Sequence, residues 1–266
     1  MLPDITTRWP ICKYNNLVSS VQEDEIAAEY PLTLRLDGEE FATIVCSPSD
    51  LEELALGFLA SEGVIRLAKD IESLSIDENR GIVDVKLHRK QSSGKEYYSR
   101  RFIGSCCGKS RQFYFHNDVR TARTSMSRIR VSPPQCTRIM QRLQESSAEF
   151  HSTGGVHNAA LSTPTGLIAV RTDIGRHNAL DKLFGYSLQN RLHNADNIIA
   201  FSGRLSSEVV LKAAKIGVGV VLSKSAPTDL ALNLATDLGI TCVGFIRGLE
   251  MNVYTHSERI VPEQQL

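Results

Sequence analysis

Alternation of apolar and polar residues predicts several short strands in the first half of the chain. Residues 32–36 alternate, Asp37-Gly38 suits a tight hairpin turn, and residues 41–46 return as a second strand. Further strands are expected at 71–76, 82–87 and 97–103. A helix should begin after Ser47-Pro48-Ser49-Asp50, where apolar residues recur at helical spacing: Leu51, Leu54, Ala55, Phe58 and Leu59. Residues 1–30 lack periodicity and are expected to form an extended surface arm. Because the remaining elements are several strands and one helix, this half is predicted to be α+β.

The second half changes to short apolar strands alternating with amphipathic helices. Strands are expected at 167–170, 198–201, 218–222 and 241–246, and helices at 175–191, 205–216 and 226–238. This alternation is typical of α/β proteins with a mostly parallel sheet covered by helices. Ser132-Pro133-Pro134 interrupts the chain ahead of a further helix, so we place the domain boundary there. The expected domains are 1–131, carrying the cysteine loop, and 132–266, binding a cofactor.

Charge is unevenly distributed along a chain whose 266 residues have a formal net charge of +0. Residues 97–144 hold 10 Lys/Arg against 1 Asp/Glu, whereas residues 1–96 hold 10 against 18. A basic band suits nucleic acid, a phosphate-bearing small ligand or an acidic protein. No aromatic-rich RNA motif accompanies it, which places nucleic acid last. The N-terminus predicts no signal peptide, and no apolar run is long enough for a membrane span. A cytoplasmic protein is expected.

The six cysteines include one adjacent pair, Cys106-Cys107, between Gly104 and Gly108. Arg100, Arg101, Lys109 and Arg111 surround the pair, and no acid occurs between Glu96 and Asp118. Neighbouring cations lower the pKa of a cysteine and raise its reactive fraction at neutral pH. The pair could also be two small buried apolar residues, but the flanking glycines favour a reactive loop. No Cys-x-x-Cys is present, so a zinc ribbon is excluded.

In the second half, the loops after the strands combine cations with Gly or Ser. Carboxyl ends of strands in open α/β sheets are the usual ligand-binding edge, where helix N-termini attract anions. Ser225 could be a plain helix cap, His157 and His177 could be structural, and Asp181 and Lys182 could be solvated. Together the loops favour an anionic, nucleotide-like ligand, although no dinucleotide or Walker motif is present. The loops concerned are 173–182, 202–207, 223–228 and 245–248.

These segments, taken in order, closely resemble the FdhD family of sulfur-carrier accessory proteins for formate dehydrogenase. The resemblance covers about residues 32–255 and includes Leu54 to Gly63. It rests on five motifs: Cys106-Cys107-Gly108-Lys109-Ser110, Thr153-Gly154-Gly155-Val156-His157, the stretch from Asp173 to Lys182, Ser202-Gly203-Arg204 and Lys224-Ser225-Ala226-Pro227-Thr228.

The resemblance implies that persulfide sulfur passes from a cysteine desulfurase, through Cys107, to the bis-molybdopterin guanine dinucleotide cofactor before that cofactor enters formate dehydrogenase. It also implies a cytidine-deaminase-like second domain. Many relatives carry a second cysteine three residues on, where this chain has Ser110. The residues expected to bind the cofactor are Phe245, Ile246, Arg247, Gly248, Leu249 and Glu250, with Arg176, His177, Arg204, Lys224 and Ser225 in the neighbouring loops.

Three functions remain to be compared. The first is a sulfurtransferase-like accessory protein with a Cys107 persulfide, acting with a desulfurase and formate dehydrogenase. The second is a non-enzymatic cofactor chaperone without covalent sulfur transfer. A zinc deaminase needs His-x-Glu and Pro-Cys-x-x-Cys, whereas His157 is followed by Asn158 and Ala159; we reject that function and expect no metal ligands. The sequence leaves a homodimer open, and predicts no nucleic-acid or membrane partner.

Overall fold

The computed structural model describes residues 2–89, 101–103, 122, 124–146 and 148–265, with the backbone alone for 101–103. Within these residues three sheets and six α-helices form. The strands are β1 (Thr6–Asn15), β2 (Val18–Ala27), β3 (Tyr30–Leu36), β4 (Glu39–Cys46), β5 (Ile71–Asp77), β6 (Ile82–Leu87), β7 (Arg101–Ile103), β8 (His157–Ser162), β9 (Leu167–Asp173), β10 (Ile198–Phe201), β11 (Val220–Ser223), β12 (Thr241–Arg247) and β13 (Glu250–Val253). The helices are α1 (Leu51–Ser61), α2 (Pro133–Glu145), α3 (Ala148–Thr153), α4 (Arg176–Gln189), α5 (Ser207–Ile216) and α6 (Asp229–Asp237).

The N-terminal residues are extended and exposed, as expected, but they pair as a long β-hairpin that the sequence did not predict. Strands β1 and β2 pair over ten residues, from Thr6 with Ala27 to Asn15 with Val18. Asn16 and Leu17 both have positive φ, at 49° and 73°, which is the turn geometry that matches strand twist. Almost every side chain is exposed, and a strand with no buried face shows none of the alternation that sequence patterns detect.

A five-stranded sheet with the order β5-β6-β3-β4-β7 follows, and α1 packs beside it. Strands β3, β4, β5 and β6 and helix α1 lie within a few residues of the predicted positions, because their apolar residues alternate or recur at helical spacing. Only Arg101–Ile103 of the expected strand 97–103 is described. It pairs in parallel with β4, with Ile103 opposite Ile44.

The second sheet has six strands in the order β13-β12-β11-β10-β8-β9. Strands β9 to β12 run in one direction, but β8 and β13 run the other way, so the sheet is mixed rather than mostly parallel. Short connections cause the difference: Thr163–Gly166 joins β8 to β9, and Gly248-Leu249 joins β12 to β13, too few residues for a crossover helix. The expected strand and helix positions after residue 167 are otherwise confirmed within a few residues.

Helices α1 and α4 cross so closely that two glycines are required. A Cβ at Gly57 would lie 1.7 Å from the carbonyl oxygen of Asp181, and one at Gly185 would lie 1.9 Å from that of Glu53. This crossing joins the two halves of the chain through one apolar core, while α2 covers the opposite face of the second sheet. The division into domains 1–131 and 132–266 stays a prediction. No helix among the described residues is long and apolar enough to cross a membrane.

Candidate functional site

The carboxyl ends of β9, β10, β11 and β12 meet at one edge of the second sheet, because these four strands run in the same direction. The first residue of β8, His157, lies at the same edge, opposite Asp173 at the end of β9. No strand was predicted here, whereas His157–Ser162 forms a central strand. This strand is rich in small residues and buried on both faces, which removes the alternation that would have identified it.

Hydrogen bonds between the loops hold this edge together. The Ser223 hydroxyl donates to the Gly203 carbonyl at 2.7 Å and accepts from the Ser225 N–H at 2.9 Å. The Phe245 N–H donates to the Ser225 carbonyl at 3.3 Å. The loops that follow β10, β11 and β12 therefore form one continuous surface, and three of the predicted cofactor residues, Arg204, Lys224 and Ser225, share it.

The last of these loops is the turn between β12 and β13, which carries the predicted residues 245–250. Phe245 and Gly248 have positive φ, at 53° and 56°, and the Thr137 hydroxyl of α2 donates to the Gly248 carbonyl at 2.7 Å. The Arg247 guanidinium lies 6.0 Å from the centre of the Phe245 ring. Phe245, Arg247, Gly248, Leu249 and Glu250 are exposed. Ile246 is buried in the core beneath the turn, so its side chain anchors the turn.

Arg176 and His177 lie in the first turn of α4, and His157 lies near them at the start of β8. His177 Nε2 is 2.7 Å from Glu208 Oε2 in the first turn of α5, and His157 Nδ1 is 3.5 Å from the Ser202 hydroxyl. Burial lowers the pKa of His157, and the charges of Arg176 and His177 lower it further. The lowered pKa favours the neutral imidazole of His157 at neutral pH, and Arg176 contributes a positive charge at this corner.

Beneath the edge, a buried ion pair of the second half is hydrogen-bonded to the first half of the chain. Lys182 Nζ lies 2.8 Å from Asp173 Oδ2, and both side chains are fully buried. Asp173 also accepts hydrogen bonds from the N–H groups of Ser47 and Gly175 and from the Asn178 amide. Lys182 donates to the Thr172 carbonyl and the Ser49 hydroxyl. Because both side chains are fully buried, this network positions the edge and is not itself open to a ligand.

A second buried pair, Lys212 with Asp181, extends the network, and the Ser61 hydroxyl donates to Asp181 at 2.6 Å. The reading of Asp181 and Lys182 as solvated helix residues was therefore wrong. Asp181 lies where α4 crosses α1, with its carbonyl oxygen against Gly57, and both Asp181 and Lys182 are buried. The one sequence signal for this interface was the small residue at both Gly57 and Gly185.

The cysteine loop, residues 104–111 with Cys106 and Cys107, lies outside the described residues. The strand that precedes the loop is described: β7 ends at Ile103, which pairs with Ile44 of β4. Ile44 lies three residues before Ser47. Ser47 donates its N–H to Asp173 Oδ2 at 3.1 Å, and its hydroxyl accepts from the Ile174 N–H at 3.0 Å. The described strand that leads into the cysteine loop therefore ends close to Ser47, which is bonded to this edge of the second sheet.

The three buried cysteines make poor sulfur acceptors compared with a cysteine that lies among cations. Burial raises the pKa of Cys46 and Cys136 to about 12 and that of Cys242 to about 11. A thiol with such a pKa is protonated at neutral pH and is a weak nucleophile. Cys12 is exposed on β1. No cluster of three His, Cys, Asp or Glu side chains that could hold a metal occurs in the described part of the chain.

The chain matches the model of a known protein family. The model of the FdhD/NarQ family covers residues 27–261. That range includes both larger sheets, the cysteine loop and every residue of the candidate edge, and it begins at the last residue of β2.

Among curated proteins, the chain is 58% identical over 254 residues to the sulfur carrier protein FdhD of Geobacillus kaustophilus, covering 96% of this chain and 97% of that protein. It is 52% identical to the FdhD of Bacillus subtilis over 96% of this chain and 98% of that protein. It is 50% identical to the FdhD of Staphylococcus aureus, strain MRSA252, over 100% of both chains.

Among solved structures, the fold matches a putative formate dehydrogenase accessory protein from Desulfotalea psychrophila. The TM-score is 0.80 at 24% identity, over 97% of this chain and 100% of that one. At this identity the comparison supports the fold.

Proposed function

Because this chain belongs to the FdhD/NarQ family, we propose that it is a sulfur carrier in formate dehydrogenase maturation. Its task is to take persulfide sulfur from a cysteine desulfurase and to deliver it to the bis-molybdopterin guanine dinucleotide cofactor, which is its cargo. The observation that carries the proposal is the position of β7, which starts the cysteine loop beside an edge rich in cations and backbone N–H groups.

The transfer step follows from thiolate chemistry. The Cys107 thiolate attacks the outer sulfur of the desulfurase persulfide. A new sulfur–sulfur bond forms on Cys107 as the old one breaks, and the desulfurase cysteine leaves as a thiolate. No net oxidation occurs. Arg100, Arg101, Lys109 and Arg111 in the neighbouring sequence favour the anionic sulfur before and after the transfer.

The sheet edge has the chemistry that a guanine dinucleotide needs. Arg204 and Arg247 are exposed, Lys224 is partly exposed, and none of the three forms an ion pair with another described residue. The edge also presents the first turn of α4, with Arg176, where the helix dipole favours a pyrophosphate. The exposed Phe245 ring offers a surface on which a base can stack. His177 and Ser225 are proposed to hold the surrounding loops in place.

Replacing Arg247 with alanine is expected to weaken GDP binding by about 1.5–3 kcal/mol, the usual contribution of a hydrogen bond to a charged group. Isothermal titration calorimetry measures the effect. Arg66→Ala provides the matched control, because Arg66 is an exposed arginine in the first half of the chain, after α1, and should leave the affinity unchanged. Equal affinities for the wild type and Arg247→Ala, or no GDP binding at millimolar concentration, would show that the nucleotide does not bind at this turn.

The competing function, a cofactor chaperone without covalent transfer, shares the same edge and differs only in the cysteine chemistry. The expected partners remain a desulfurase and formate dehydrogenase, and the expected location remains the cytoplasm. A cytidine-deaminase-like arrangement of the second sheet is part of the same proposal. A homodimer suits a cargo with two guanine nucleotide halves, since each chain has one such edge.

A further inference from the structure

Asn178 is a buried residue in the first turn of α4 to which the proposed function gives no role. It is 7% exposed, and it directly follows Arg176 and His177. Its amide nitrogen donates to the Val45 carbonyl and to Asp173 Oδ1, both at 2.9 Å. Both partners can only accept a hydrogen bond, so the nitrogen of the amide, and not its oxygen, faces them. One side chain therefore joins α4 to the ends of β4 and β9.

The Val45 carbonyl belongs to the strand beside which the cysteine loop begins. Val45 lies in β4, and its neighbour Ile44 pairs with Ile103, the last residue of β7. The other described side-chain hydrogen bonds between residues 173–182 and this part of the chain end on residues 47–49, which follow the strand. The first turn of α4 is therefore tied to the strand itself by the asparagine amide.

The backbone before α4 leaves room for this amide. Gly175 is the N-cap of α4, and a Cβ there would lie 2.7 Å from the amide nitrogen of Asn178 and 2.9 Å from its Cγ. The φ of Gly175 is −96°, which any residue can adopt. The glycine is therefore required for space, and the two residues, three positions apart, form a matched pair.

The two amide hydrogens suit the two acceptors. An ionised aspartate has no hydrogen to donate, a serine has one on a shorter side chain, and an alanine has none. Without the amide, the Val45 carbonyl loses its partner, and a carbonyl removed from water without a partner is unfavourable. We expect the corner to relax until this carbonyl finds water or another donor, which moves the first turn of α4 away from β4.

We propose that Asn178 is a positioning residue for sulfur delivery, which holds the first turn of α4, with Arg176, fixed against the ends of β4 and β7. The inference rests on the proposed function, in which Cys107 carries sulfur and the sheet edge binds the cofactor. Loading needs only Cys107 and the desulfurase, and GDP binding draws mainly on cations in the loops after β10, β11 and β12. Delivery needs the two sites in a fixed relation, and a misplacement of about 1 Å can slow a reaction about a hundredfold.

The test compares Asn178→Ala with Asn194→Ala in the full chain. Asn194 is the matched control, since it is 6% exposed and its amide donates to the Ile216 carbonyl at 3.1 Å, at the C-terminal end of α5. Intact mass measures sulfur loading by a cysteine desulfurase, calorimetry measures GDP affinity, and formate dehydrogenase activity in cells that lack their own carrier measures delivery. We expect Asn178→Ala to lower delivery at least about tenfold below Asn194→Ala, with equal loading and equal GDP affinity.

Gly175→Ala is an independent variant, because its methyl group displaces the Asn178 amide without removing it. It should show the same separation of loading from delivery. Urea unfolding shows whether each variant is folded and whether the stability losses of the two asparagine variants match. If Asn178→Ala does not fold, Gly175→Ala carries the comparison with Asn194→Ala.

Equal delivery by Asn178→Ala and Asn194→Ala would overturn the positioning role and leave the proposed function standing. A parallel loss of loading, GDP affinity and delivery in Asn178→Ala would overturn it too, because that is the result of a structural role alone. A wild type that takes up no sulfur would overturn the proposed function, and the positioning role with it.

Discussion

Replacing Lys182 with methionine is expected to lower the free energy of unfolding by about 3–5 kcal/mol, the cost of leaving a buried charge without its partner. The substitution keeps most of the side-chain volume but removes the ammonium that lies 2.8 Å from Asp173. Urea unfolding at neutral pH measures the loss. Arg8→Ala is the matched control, since Arg8 and Glu23 form an ion pair at 3.4 Å on the exposed hairpin and should contribute about 0–1 kcal/mol.

The loss should also depend on pH in a defined direction. Burial raises the pKa of Asp173, and the Lys182 ammonium opposes this effect, so removing Lys182 raises that pKa further. An acid whose pKa is raised in the folded state is protonated at a higher pH in the folded state than in the unfolded state. Stability of the variant therefore falls as pH rises from about 4 through the folded pKa. A loss below about 1 kcal/mol at neutral pH, or a loss that grows on acidification, would contradict this role for the pair.

Replacing Cys107 with serine should reduce sulfur transfer to background, because a hydroxyl cannot form a persulfide. Cys106→Ala is the matched variant one residue away and should keep most of the activity with at most a modest loss of stability. Neighbouring side chains in an extended stretch point to opposite sides, so only one of the two should face the cofactor. Formate dehydrogenase activity in cells that lack their own carrier and express each variant measures the difference.

Equal losses in the two variants, or a disulfide between Cys106 and Cys107, would show a two-thiol relay in place of a single carrier. A disulfide between sequence neighbours strains the connecting peptide, and Ser110 cannot act as a second thiol. Full activity of Cys107→Ser would remove the carrier mechanism altogether and leave the chaperone function.

Sequence patterns predicted most of the elements that pack one apolar face, such as β3, β4, α1 and α5, because burial of one face imposes a period. They missed the short helix α3 and the edge strand β13, and two further elements that leave no periodic pattern. The exposed hairpin at Thr6–Ala27 has no buried face within its own chain, and the central strand β8 is buried on both. Neither situation leaves an alternating pattern.

The candidate site also contains residues whose position could be predicted from the sequence and residues whose position could not. The grouping of Arg204, Lys224 and Arg247 at one edge could be predicted, because strands that run in the same direction place their following loops together. The burial of Asp173 and Lys182 could not be predicted, since the residues of the first half that bond to them, Ser47 and Ser49, are more than a hundred residues away in the chain. Only the folded structure brings these distant segments together and distinguishes a buried ion pair from a ligand-binding one.

The central claim is that Cys107 carries the sulfur, and mass spectrometry of the intact protein tests it most directly. The protein is incubated with a cysteine desulfurase and cysteine, its mass is measured, and the adduct is located by peptide mapping without reductant. We predict one added sulfur atom, on the peptide that contains Cys107, which is lost on reduction and absent from Cys107→Ser. An unmodified protein, or a sulfur adduct confined to exposed Cys12, would contradict the claim.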